Sequence, residues 1–238
     1  MQLLARRNFS YGILQLMLFV FIALAGSALP AAYLGHVQGY RPIQTMPLAL
    51  TMALPQLLIA PLVAWVVNRN SVDARYVIAL GLGLIAIACL GNAQLTSGWV
   101  RDDFYLWQVL QMVGQPMVVV PLLMAATGVI APQEGPFASA MVNSLRGLGA
   151  TLAGVALENF TTWREHLHSN HLLDQAMNSR VALPAEASLN LAARVREQAF
   201  VLTYADAYLA LLAVIGLALL VLLTVPTRPY PPQPPVPS

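Results

Sequence analysis

Apolar residues along this chain fall in long, nearly unbroken runs, not in the strict alternation of a half-buried strand or the narrow stripe of a surface helix. Six runs can be marked, at 10–33, 45–67, 76–93, 104–130, 137–160 and 200–225. A helix needs about 20 mostly apolar residues to cross a hydrocarbon core about 30 Å thick, and each run is close to that length. Lipid gives backbone N–H and C=O groups no water to bond with, so only helices or a closed barrel can span it, and runs this long select helices. The predicted fold class is an all-α integral membrane protein with a six-helix transmembrane bundle over 10–225. Residues 1–9 precede the bundle, a hydrophilic external loop over 161–199 joins the last two spans, and a tail covers 226–238.

Composition narrows the possibilities. Only 9% of the 238 residues are charged and 58% are hydrophobic, with a mean hydropathy of +0.66; an average globular protein carries about 25% charge. That leaves too little polar surface for a water-soluble enzyme. A net charge of +2 spread over twelve arginines, with no lysine, provides no basic stripe for phosphates, so no nucleic-acid partner is expected. Cys89 is the single cysteine, which excludes an internal disulfide and any multi-thiolate metal site. Arg6 and Arg7 ahead of an apolar run imitate an export signal, but the run is longer than the 7–15 residues of a signal's apolar region, and five more follow. The first span is therefore expected to be retained.

Arginines in short membrane loops accumulate on the cytoplasmic side. Arg6, Arg7, Arg69, Arg75 and Arg228 fall on one side, while Arg41 and Arg101 fall on the other with the long 161–199 segment. Both termini are accordingly placed in the cytoplasm. Within the long segment, residues 184–198 read as a short amphipathic helix lying on the surface. Seven of the last thirteen residues are proline, which predicts an extended, solvated tail.

Polar residues inside the runs are where function is sought, because an inert anchor does not need them. Arg146 lies roughly 13 Å into the fifth span at 1.5 Å per residue, too deep to reach the interface easily, and is expected to be buried. Asn143, Ser144, Gly147, Gly149, Thr151 and Gly154 surround it. Gly114, Gly147, Gly149 and Gly154 are read as helix-packing positions, since small residues let helices approach. In the fourth span Gln108, Gln111 and Gln115 share a helical face ahead of Pro116 and Pro121. Such a stripe either walls a wet, substrate-facing space or bonds helix to helix. Pro47, Pro55 and Pro61 bend the second span. Asp206, at the start of the last span, is a candidate proton carrier, and Glu158 a weaker one. His166, His168 and His171 crowd the hydrophilic loop at a spacing that can bind a metal, but no HExxH helix and no cysteine accompany them, and a solvated loop is expected there. No Ser/His/Asp order, phosphate loop or carboxylate pair points to an enzyme.

With these residues placed, the chain resembles the C-terminal half, helices nine to fourteen, of the fourteen-helix EmrB/QacA type of drug:proton antiporters of the major facilitator superfamily. The likeness runs from Arg7-Asn8-Phe9 through Leu29-Pro30-Ala31-Ala32-Tyr33-Leu34 and Gly39-Tyr40-Arg41-Pro42 to the turn Asn68-Arg69 and Asp73-Ala74-Arg75. It continues with Leu110-Gln111-Met112-Val113-Gly114-Gln115 and is most specific at Ala138-Ser139-Ala140-Met141-Val142-Asn143-Ser144-Leu145-Arg146-Gly147-Leu148-Gly149. Departures include Ala64 and Trp65 in place of a usual glycine, Asn68 in place of an acid, and Thr45-Met46 in place of Ala-Gly.

The resemblance implies a bacterial inner-membrane transporter exporting small amphipathic or hydrophobic compounds by alternating access. Its energy source would be the proton gradient and it would need no bound cofactor. The implied substrate and proton pathway comprises Gln108, Gln111, Gln115, Asn143, Arg146 and Asp206, and Asn68, Arg69, Asp73 and Arg75 form a cytoplasmic gate loop. Implied partners are the lipid bilayer, the cargo, a missing N-terminal transporter half, and a periplasmic adaptor with its outer-membrane channel. The alternatives are a non-transporting membrane scaffold or a degenerate transporter fragment.

Overall fold

A computed structural model describes residues 7–24, 26, 28–69, 72–127, 135–178 and 185–224. The tail at 226–238, Arg6, Arg180 and Arg228 lie outside them. All regular structure among the described residues is helical: α1 (Arg7–Ala23), α2 (Ala28–His36), α3 (Pro42–Val67), α4 (Ala74–Asn92), a 3-10 turn (Arg101–Phe104), α5 (Tyr105–Thr127), α6 (Gly135–Asn178) and α7 (Ala185–Leu223). Six helical stretches are long and apolar enough to cross a membrane, α1 and α2 together forming the first. The chain is thus an all-helical, multi-pass membrane protein.

The first span is broken where one continuous helix is expected. Pro30 lacks an N–H and its ring excludes the helical bond to the carbonyl four residues back, that of Gly26. The chain turns there through Leu24 and Gly26 before α2 starts. The Gly26 carbonyl accepts instead from the Gln108 side-chain amide of α5. α3 stays helical despite Pro47, Pro55 and Pro61, and Thr51 Oγ1 caps the Pro47 and Leu48 carbonyls at 3.0 and 2.8 Å.

The core lies where α1, α2, α4, α5 and α7 meet. Tyr33 is fully buried in it, packing on Phe104 and edge-on to Tyr204 with ring centroids 5.6 and 5.9 Å apart. Its hydroxyl donates to the Thr96 carbonyl at 2.5 Å, while Gln38 Nε2 donates to the Ser97 carbonyl at 2.6 Å. Next to them His36 stacks on Phe200 at 4.8 Å and meets the Tyr204 hydroxyl at 2.5 Å. These contacts tie the α2–α3 and α4–α5 connections and the middle of α7 together at one end of the bundle, the arrangement that alternating spans require. Tyr33→Phe is expected to lower stability by about 0.5–1.5 kcal/mol, because it leaves the Thr96 carbonyl without this donor. The midpoint of thermal unfolding in detergent checks this.

The largest difference from expectation lies between the last two spans. The expected loop at 161–199 is helical up to Asn178 and again from Ala185. At 1.5 Å per residue the 44 residues of α6 extend about 66 Å and the 39 of α7 about 58 Å, roughly twice the hydrocarbon thickness. The two form a hairpin that continues past their apolar segments. The amphipathic helix expected at 184–198 is therefore no separate element but the first turns of α7, with Val195 and Ala199 buried and Arg194 and Arg196 exposed.

Candidate functional site

α5 and α1 pack against each other, α3 lies on α5, and α6 lies on α1 and α7. This leaves a trough with α1 and α5 as its floor and α3 and α6 as its walls. It holds a cavity of about 480 Å³, inside the roughly 300–1,000 Å³ range of small-molecule pockets. Phe19, Val20, Leu24, Val119 and Leu123 form much of its apolar lining. Among the described residues, the polar side chains in the lining are Gln56 of α3, Gln115 of α5 and Arg146 of α6.

The glutamine stripe divides its labour. Gln108, nearly fully buried, turns away from the cavity to hold the Gly26 carbonyl at the α1–α2 break. Gln111, completely buried, accepts from Gln115 Nε2 at 3.3 Å through its Oε1. The Gln115 Oε1 in turn accepts from Gln56 Nε2 at 3.4 Å. A chain of carboxamides thus runs from the interior of α5 to the opposite wall of the cavity. Gln56 was not singled out in the sequence; its signal was a lone amide amid Leu54, Pro55, Leu57 and Leu58. Gln15, also missed, is buried in α1 and donates to the Ala218 carbonyl of α7 at 3.0 Å.

Arg146 corrects an expectation. It is exposed, not buried, and makes no hydrogen bond or ion pair among the described residues. The reason is the way α6 packs: Val142, Gly149 and Ala153 are the buried side, while Asn143, Ser144, Gly147, Thr151 and Gly154 are exposed. Asn143 makes no hydrogen bond among the described residues, and a Cβ added at Gly147 or Gly154 meets none of them within 4 Å. These two glycines therefore do not mediate packing within the described chain. Gly149 does, with Met17 Sδ only 2.8 Å from an added Cβ. Gly114 does so more tightly still, its added Cβ falling 2.9 Å from the Gly81 carbonyl oxygen of α4 and 2.8 Å from Ile85 Cγ1.

Asp206 lies apart from the cavity in a cluster that the sequence did not reveal. Arg164 Nε donates to Asp206 Oδ2 at 2.8 Å, and a second guanidinium nitrogen reaches the same oxygen. His168 Nε2 approaches that oxygen at 2.6 Å. Arg164 and His168 sit four residues apart on α6, one helical turn, so both face α7. The histidines of the expected loop therefore separate: His168 joins this cluster, whereas His166 and His171 are exposed on the same helix. Glu158, also on α6, is exposed.

The turn between α3 and α4 is built by local capping. Asp73 is the N-cap of α4, accepting from Arg75 N at 2.9 Å and from the Arg75 guanidinium at 2.9 and 3.1 Å. Asn68 is the C-cap of α3. Arg69 lies over the Trp65 ring, 3.7 Å from its centroid, a cation–π contact that holds the cation against the end of α3. Asp73 thus pairs with Arg75 and Arg69 with Trp65, at the end of the bundle opposite to Tyr33. Neither pairing contacts the cavity.

Compared with known proteins, the chain matches no family model and no curated sequence.

Proposed function

We propose that this six-helix bundle is one half of an alternating-access membrane transporter that exports small amphipathic or hydrophobic compounds at the expense of the proton gradient. One observation carries the reading. A drug-sized cavity sits among the apolar segments of four helices, and polar side chains converge on it where lipid-facing helices would have none. The two walls are also the helices least covered by the rest of the chain, with 17% of their apolar windows buried for both α3 and α6. A second half packed on that side would close the cavity, as expected where substrate sites lie between repeats. The sequence resemblance to the major facilitator drug:proton antiporters supports the same architecture. It also supports an inner-membrane location, with the Asn68–Arg75 turn on the cytoplasmic side.

The test is accumulation of amphipathic dyes in bacteria producing an N-terminal transporter half with and without the full chain, and with and without a protonophore. The expected result is a several-fold lower steady-state dye content that the protonophore restores and that Ala150→Trp, which fills the cavity wall, abolishes. Equal accumulation with and without the chain would overturn transport in favour of a membrane scaffold.

A further inference from the structure

The cavity's polar groups are unbalanced in a way that defines what it would hold. Among the described residues its lining contains one guanidinium, two carboxamides and no acid. The nearest carboxylate along α6, Glu158, is twelve residues from Arg146, about 18 Å along the helix. Asp206, the other acid close to the apolar segments, is already bonded to Arg164 and His168. Arg146 is left without a counter-charge among the described residues. A charged group at membrane depth is costly by a few kcal/mol unless something answers it. An arginine presents a planar fork of donors matched to a carboxylate and holds its charge at any physiological pH.

We infer that the cavity binds an organic anion: an acid headgroup seated on Arg146 beside Gln56 and Gln115, with an apolar body along Phe19, Val119 and Leu123. This rests on the proposed function and narrows its cargo from amphipathic compounds in general to acidic ones. Lipophilic cations are disfavoured by the same feature, since the cavity offers them no carboxylate and one fixed positive charge. An acidic solute and an anionic lipid share this chemistry.

The experiment measures equilibrium binding of 2-naphthoate and of its uncharged analogue 2-naphthamide to the full chain in zwitterionic-lipid nanodiscs. The naphthoate is expected to bind at least about tenfold more tightly, the effect of one charge-assisted hydrogen-bonded pair. Arg146→Gln is expected to remove that advantage and leave naphthamide unchanged, and Arg146→Lys to retain part of it. Because Arg146 is exposed and makes no hydrogen bond or ion pair among the described residues, its variants are expected to fold, which the unfolding midpoint verifies. Repeating the titration in phosphatidylglycerol nanodiscs separates the sources: competition by that lipid assigns the site to a lipid headgroup, and undiminished binding assigns it to a solute. Equal binding of acid and amide with a silent Arg146→Gln would overturn the anion while leaving the transport reading standing. Absence of binding by both compounds would overturn the cavity as a small-molecule site, and the transport reading with it.

Discussion

Asp206→Ala is expected to destabilise the bundle by about 2–3 kcal/mol, among the largest effects of any single side-chain truncation in it. Two cationic or hydrogen-bonding groups, Arg164 and His168, converge on one carboxylate oxygen. Removing the acid leaves them facing a helix with nothing to receive them. The side chains are about one-quarter exposed, which keeps the figure below the 3–5 kcal/mol of a fully buried pair. Unfolding in mixed detergent micelles measures it. The same substitution in an Arg164→Met, His168→Leu background is expected to cost less than 1 kcal/mol, since the partners are then gone. An equal cost in both backgrounds would mean that Asp206 acts through some other contact.

Gly114→Val is expected to be at least as damaging, about 3 kcal/mol or more. A side chain there meets the Gly81 carbonyl oxygen of α4 from 2.9 Å, and backbone cannot step aside as a flexible side chain can. α4 and α5 would have to separate along the contact that carries much of the core. Gly147→Val and Gly154→Val serve as controls in the purified chain, because a Cβ added at either meets nothing within 4 Å among the described residues. Their effect is expected to stay within about 0.5 kcal/mol. If a second half covers α6 in the cell, the same two substitutions should instead suppress export while leaving the isolated chain as stable as before.

The six spans were legible because burial in lipid demands only length and apolarity, both visible in one dimension. The break at Gly26 was written there too, in a proline four residues further on, but a continuous apolar run concealed it. The extension of α6 and α7 was not legible by hydropathy: residues such as Arg164, Glu165, His168 and Asn170 resemble a loop in composition, and their helix is fixed by packing of α6 on α7. Asp206 was found as an acid near lipid, but its partners lie 42 and 38 residues away, and such pairings depend on how helices are arranged. An arginine and a histidine one turn apart were the available trace. For Arg146 the expected burial was wrong, because sequence gives a residue's position along a span but not which side of the helix its neighbours occupy.

The paired extensions of α6 and α7 give the bundle a lever. From Arg164 to Asn178 the first arm is about 21 Å long, rooted where the Asp206 cluster clamps the two helices together. A tilt of about 10° at that root swings the tip by about 4 Å. A partner touching only the far end of the hairpin would thus have mechanical purchase on α6, the helix that carries Arg146, without ever reaching the membrane interior.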